Sequence, residues 1–299
     1  MNQFEMTAKM EQGNGFIAAL DQSGGSTPKA LKGYGIEEGA WSNDREMFDL
    51  IHQMRSRIIT SPAFGSGKVI GAILFERTMD GTVAGKPTPQ ALIDLGVIPF
   101  IKIDKGLEEE ANGVQLMKPM PDLDELLRRA KGLGVFGTKE RSVINLANRD
   151  GIAAVVNQQF EVARQVLGHS LMPIIEPEVN IKSPERDAAD RILLAEILKN
   201  LDRLPDGQRV MLKLSIPAEA GLFLPLVKHP KVVRVVALSG GFSRSEACRE
   251  LAKNPGMIAS FSRALLSDLR AEQSDEEFNR VLGEAIDEIY EASVARVAA

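Results

Sequence analysis

Short apolar runs alternate with longer stretches of helical periodicity along this chain. Eight runs stand out: Gly15–Asp21, Val69–Arg77, Pro99–Lys105, Val135–Arg141, Leu171–Val179, Arg209–Ile216, Val232–Gly240 and Met257–Arg263. Each is followed by a loop and usually by a segment of helical pattern. The intervening segments include Asp44–Ile59, Asp122–Lys131, Asp150–Leu167, Glu185–Leu201, Ser243–Lys253 and Asp275–Arg296. Met47, Leu50, Ile51 and Met54 illustrate the three- and four-residue spacing that places one apolar stripe on a helix. Ser26-Thr27-Pro28 and Ser183-Pro184-Glu185 each offer a helix cap followed by a first-turn proline. Ala218–Lys228 contains Pro225 and has room only for a short or broken helix. Gly81–Leu95 and the turn Lys118–Pro121 read as loops. Strands that alternate with helices imply a parallel sheet, and eight such units predict an α/β fold, a single (β/α)8 TIM barrel. No linker or shift in composition divides residues 1–299, so one domain is expected, with a C-terminal helix over about residues 275–296.

The run Arg209–Pro217 carries a lysine, Lys213, at its centre. Strand geometry puts Met211, Lys213 and Ser215 on one face and Val210, Leu212 and Leu214 on the other. A buried ammonium needs a partner or a lowered pKa, and a lysine that is partly neutral can attack a ketone to form a Schiff base. On an edge strand the same residue would simply reach water.

The other strand ends decide between these. In a barrel, side chains at the C-terminal ends of the strands converge on one site. Those ends carry Asp21, Glu76, Lys102 with Asp104, Lys139 with Arg141, Glu176 with Glu178, Lys213, Ser239 and Arg263. Parity agrees, since Ile17, Ala19 and Asp21 share a face, as do Phe100, Lys102 and Asp104, and Ile174, Glu176 and Glu178. One such charge is an ordinary loop residue; a full ring of them predicts an active site. In it, Lys213 would attack a ketone, its pKa drawn down by burial and by the cation of Lys139. Glu176 on the adjacent strand suits the dehydration of the carbinolamine, and Asp21 suits removal of a hydroxyl proton as a carbon–carbon bond breaks. Glu178 and Asp104 fit equally well as salt-bridge partners of the basic residues, and Glu76 as a group that orients others. Ser239-Gly240-Gly241 follows a strand and precedes a helix, where backbone amides can approach a phosphate, and Arg263 adds a bidentate donor. Ser23-Gly24-Gly25-Ser26, with Lys102, offers a second phosphate position across the mouth.

Composition narrows the partners. A net charge of −5 speaks against nucleic acid or an anionic membrane as the main partner. Cys248 is the lone cysteine, which removes disulfides within the chain and cysteine-based metal sites. With no leader-like N-terminus and no apolar run of spanning length, the sequence reads as soluble and cytoplasmic.

Several motifs then stand together in order: Ala-Leu-Asp-Gln-Ser-Gly-Gly-Ser (19–26), Gly-Ala-Ile-Leu-Phe-Glu-Arg-Thr (71–78), Ile-Lys-Ile-Asp-Lys-Gly (101–106), Lys-Glu-Arg (139–141), Pro-Ile-Ile-Glu-Pro-Glu (173–178), Leu-Lys-Leu (212–214), Leu-Ser-Gly-Gly (238–241) and Ser-Arg-Ala-Leu (262–265). On these the sequence resembles the class I (Schiff-base) fructose-1,6-bisphosphate aldolases from about Gly15 to Leu265, and looks like their bacterial branch. The resemblance implies reversible cleavage of fructose 1,6-bisphosphate to dihydroxyacetone phosphate and glyceraldehyde 3-phosphate, in glycolysis and gluconeogenesis. It implies no cofactor and no metal. Lys213 matches the Schiff-base lysine, Glu176 its acid–base partner, Asp21 the aspartate that assists cleavage and Lys139 the auxiliary lysine. Ser239, Gly240 and Arg263 match the ketone-side phosphate site, and Ser23, Ser26 and Lys102 the opposite phosphate or nearby hydroxyls. Arg141 stands where the family has an arginine. A homo-oligomer is compatible with this, although the tetramer of animal members is not carried over.

Two departures are visible. Animal members have a long tail ending in a tyrosine that aids proton exchange, whereas this chain ends Arg296-Val-Ala-Ala299 and places Tyr290 in a helical pattern. Ala30 also stands where they carry an arginine. Three alternatives remain distinguishable. A Schiff-base lyase for another sugar phosphate would need one phosphate site. A metal-dependent aldolase would need histidines at strand ends, but His52, His169 and His229 lie on helix or loop segments. A non-catalytic binding protein would have no activity for a Lys213 substitution to abolish.

Overall fold

The computed structural model describes residues 1–23 and 25–295. Gly24 of the 19–26 motif, the expected helix end at Arg296 and the terminal Val-Ala-Ala299 lie outside the described residues. Eight parallel strands form a nearly closed barrel in sequence order: β1 Phe16–Leu20, β2 Val69–Leu74, β3 Ile98–Lys102, β4 Gly137–Ile144, β5 Met172–Val179, β6 Val210–Ser215, β7 Val232–Leu238 and β8 Met257–Ala259. Each coincides with one of the apolar runs. Helices pack outside, among them Asp44–Thr60, Leu123–Gly132, Arg149–Gly168, Arg186–Arg203, Arg244–Leu251 and Asp275–Val294. The segment after β6 yields only the short helix Leu224–Val227.

Strand alternation sorts the apolar side chains into two layers. Outward residues such as Val210, Leu212 and Leu214 join helix residues such as Leu193 and Ile197 in the main core. Inward residues, among them Ile17, Phe100, Ile174, Met211 and Val236, form a separate cluster inside the barrel. The cluster is capped from below by Met6 and Met10 of the helix Gln3–Gln12. That helix had no sequence expectation, because its two buried methionines are its only apolar stripe. The interior is packed tightly around Gly71 on β2, where a Cβ would stand 3.2 Å from Met10 and 3.3 Å from Phe100.

Several boundaries moved. β2 stops at Leu74, and Glu76 opens the helix Glu76–Met79. β4 runs on to Ile144, because Val114–Gln115 pairs antiparallel with its end. The polar run Thr138-Lys-Glu-Arg-Ser142 had hidden that extension. β8 stops at Ala259, so Arg263 is the first residue of the helix Arg263–Leu266. Gly81–Leu95 is a tight hairpin, Thr82–Val83 against Lys86–Pro87, followed by the helix Thr88–Asp94 with a first-turn proline. Ser183 does not cap a helix. The helix begins at Arg186, while the Ser183 hydroxyl donates to the Asn145 carbonyl at 2.6 Å.

Candidate active site

A cavity of about 520 Å³ opens at the C-terminal ends of the strands. Among its lining residues are Asp21, Ser23, Ser26, Lys102, Lys139, Arg141, Glu176, Glu178, Lys213, Ser239, Gly240 and Arg263. These come from both ends of the chain, and the barrel brings them together because every strand points the same way.

A continuous ionic chain runs along the cavity floor. Lys213 Nζ lies 3.2 Å from Glu176 Oε1. The other Glu176 oxygen is 3.0 Å from Lys139 Nζ, which lies 2.7 Å from Asp21 Oδ2. All four groups are buried, with residue exposures of 3 to 8 %. Strand register explains the order, since Lys139 on β4 faces Ile174 on β5 and Arg141 faces Glu176. Burial alone would raise the pKa of the Asp21 carboxyl, but the ammonium groups of Lys139, Lys213 and Lys102 hold it far below the usual carboxylate range. Burial likewise opposes the charge on Lys139, and Asp21, Glu176 and Asp104 overcome it and push its pKa above the ordinary lysine value. Lys139 is therefore a cation clamped between two carboxylates.

Lys102 Nζ turns back to Asp104, 2.6 Å from Oδ1 and 2.8 Å from the carbonyl. Its pKa is lowered, by burial first and by Lys139, against the pull of Asp104. Arg141 pairs with Glu178 at the rim. Glu76 stands apart from the cavity, where its carboxylate holds Lys105 at 2.8 Å and also pairs with Arg129. Its place at a helix start, not a strand end, turns it away. Asp104 and Gly241 also fall outside the lining. Gly240 adopts φ +61°, and a Cβ there would sit 2.7 Å from Ile181, so the turn after β7 admits only glycine. The Arg263 guanidinium comes within 3.7 Å of where a Gly241 Cβ would be, which sets the arginine against this turn.

The wall also contains residues that the sequence reading passed over: Gln22, Lys29, Ser260 and Ser262. Gln22 and Ser262 lie inside two of the quoted motifs, which was the available signal. Lys29, one residue before Ala30, lines the cavity and makes no ion pair among the described residues. No cluster of three or more His, Cys, Asp or Glu side chains is arranged to hold a metal ion among the described residues. No helix among them is long and apolar enough to cross a membrane.

Comparison with known proteins decides the family. The model of the family "Fructose-bisphosphate aldolase class-I" matches residues 4–203. The chain belongs to that family. It is a carbon–carbon lyase that acts in the cleavage of fructose 1,6-bisphosphate. Among solved structures it is similar to the fructose-bisphosphate aldolase of Plasmodium falciparum, at 21% identity and a TM-score of 0.81, over 99% of this chain and 95% of that one. A protein of Corynebacterium glutamicum matches with a TM-score of 0.52 at 13% identity, over 97% of this chain and 92% of that one. At these identities the two structures speak for the barrel fold alone.

Proposed function

We propose that this aldolase works through a Schiff base on Lys213, with Glu176, Lys139 and Asp21 as its proton-handling partners. The observation that carries the reading is the buried chain Lys213–Glu176–Lys139–Asp21. Lys213, freed of a proton by Glu176, attacks the C2 ketone of fructose 1,6-bisphosphate and forms the carbon–nitrogen bond of a carbinolamine. Glu176 returns the proton to the departing hydroxyl, water leaves, and a protonated imine remains. Asp21 then takes the proton of the C4 hydroxyl. The C3–C4 bond breaks, C4 becomes the aldehyde of glyceraldehyde 3-phosphate, and the bonding pair flows into the iminium to give an enamine. Lys139 keeps Asp21 ionised so that it can accept that proton.

Ser239, the turn at Gly240 and Gly241, and Arg263 suit the ketone-side phosphate. Ser23, Ser26 and Lys102 suit the distal one, with Lys29 as a cation close to where animal members carry their arginine. Arg141, Glu178 and Asp104 act as electrostatic supports. The same reading places one barrel domain over residues 1–299 in the cytoplasm, with no cofactor and no nucleic-acid or membrane partner, and is compatible with a homo-oligomer.

The test is borohydride reduction in the presence of dihydroxyacetone phosphate, with a chelator throughout, followed by peptide mass mapping. A reduced adduct on Lys213 is expected. No adduct, or one on Lys102 or Lys139, would require new assignments.

A further inference from the structure

Arg55, on the helix Asp44–Thr60, is the largest fully buried side chain among the described residues. A buried guanidinium normally sits against a carboxylate, yet none lies within ion-pair distance of it among the described residues. It donates instead to neutral oxygens: the Thr78 hydroxyl at 2.8 Å, the Gln22 carbonyl at 2.6 Å and Gln22 Oε1 at 3.1 Å. Burial lowers its pKa to about 10, against the pull of Asp21, so it remains charged at neutral pH.

Those bonds fix the Gln22 amide. With Oε1 held by a donor, Nε2 must face the other way, and it donates to Ser262 Oγ at 2.6 Å and to the Ala19 carbonyl at 3.3 Å. Ser262 directly precedes Arg263. The link therefore crosses from the Asp21–Ser23 end of β1 to the Ser262–Arg263 segment after β8. This is the one line of the barrel without a ladder among the described residues. Consecutive strands from β1 to β8 are laddered, whereas β8 and β1 are not, and the backbone bond from Ala19 N–H to the Phe261 carbonyl at 3.1 Å crosses there.

We propose that Arg55 is a positioning residue which, through Gln22 and Ser262, clasps the closing seam and sets the spacing between Asp21 and Arg263. The proposal rests on the Schiff-base reading above. Forming the imine with dihydroxyacetone phosphate uses the β5 to β8 side: Glu176, Lys213, Ser239, Gly240 and Arg263. Carbon–carbon cleavage also needs Asp21, which lies across the seam. Loosening the clasp should leave the first step and impair the second.

The experiment compares Gln22→Leu, Ser262→Ala, Arg55→Met and the double variant Arg55→Met/Ser262→Ala with the parent enzyme. Borohydride trapping with dihydroxyacetone phosphate counts working sites, and cleavage of fructose 1,6-bisphosphate is expressed per trapped site. Trapping should stay within about threefold of the parent, because the variants leave Lys213, Glu176, Ser239, Gly240 and Arg263 themselves in place. In Gln22→Leu and Arg55→Met, kcat per trapped site should fall about 10- to 100-fold, as displacements near 1 Å do. The double variant should be no worse than its worse single variant, because both act through one amide. Unchanged kcat per site in Gln22→Leu, or losses that multiply in the double variant, would overturn the clasp. Should Arg55→Met fail to fold, Gln22→Leu and Ser262→Ala decide alone. Absence of an adduct in the parent enzyme would instead overturn the Schiff-base reading.

Discussion

The lower and upper halves of the barrel interior are made by the same strands and differ by a single step of two residues. On β3 the inward side chains are Phe100 and then Lys102; on β5, Ile174 and then Glu176; on β6, Met211 and then Lys213. Below that step the interior is an apolar cluster sealed by Met6 and Met10. Above it lies an open cavity lined by charge. Burying the apolar side chains contributes roughly 25 cal/mol per Å² removed from water. Burying the ions is costly in itself and is tolerated because each is placed against another of opposite sign. The lower half therefore holds the strands in register, and the upper half uses that register to keep the side chains of Asp21, Lys139, Glu176 and Lys213 in contact.

If this division is right, substitutions in the two halves should separate activity from stability. The largest effect belongs to Lys213→Ala, which should lower cleavage at least about 10⁴-fold, or about 5.5 kcal/mol, while the melting temperature changes little. Steady-state assay beside a thermal melt checks both, and residual activity near the parent's would overturn the mechanism. Phe100 lies one step below Lys102 and packs edge-on to Phe136 with ring centroids 5.4 Å apart. Phe100→Ala should cost about 3–5 kcal/mol of stability, seen in urea unfolding, with kcat per folded molecule nearly preserved. A loss of kcat as large as that of Lys213→Ala would mean the halves are not separable.

The smallest effect sharpens the comparison from outside the cavity. Glu140 lies between Lys139 and Arg141 on β4, is fully buried, and neither carboxyl oxygen has a hydrogen-bond partner among the described residues. Burial pushes its pKa well above the ordinary value, and the negative charges of Asp104 and Glu176 add to that against Lys139. In the unfolded chain it ionises near pH 4.3. Above that pH folding must take up a proton, and the native state loses stability as pH rises towards the folded pKa. Glu140→Gln should therefore raise the melting temperature at neutral pH, by about 2–4 °C per kcal/mol. The gain should vanish below about pH 4. Melts from pH 4 to 8 test this, and a gain independent of pH would show that Glu140 does not titrate there.

Much of this was legible in the chain itself. The eight strands announced themselves because strands buried on both faces are apolar runs, and parity alone separated Met211, Lys213 and Ser215 from Val210, Leu212 and Leu214. Strand ends were harder to read. Glu76 and Arg263 looked like strand-end residues, but each opens a short helix, and a charge at the end of an apolar run has the same appearance in both cases. The helix Gln3–Gln12 was missed because its packing depends on the lower end of the barrel, which no local pattern describes.

The sequence by itself determined the architecture, most of the inward charges and the family, since these follow from alternation, periodicity and motif order, while Glu76 and Asp104 fall outside the cavity. Only the tertiary structure decided which charges touch. Lys139 sits between Asp21 and Glu176, Lys102 turns back on Asp104, and Arg55 reaches Gln22 from a distant helix. Pairings of this kind depend on distances across a closed barrel. Residues far apart in the chain become neighbours there through strand register and tilt, which local patterns leave open.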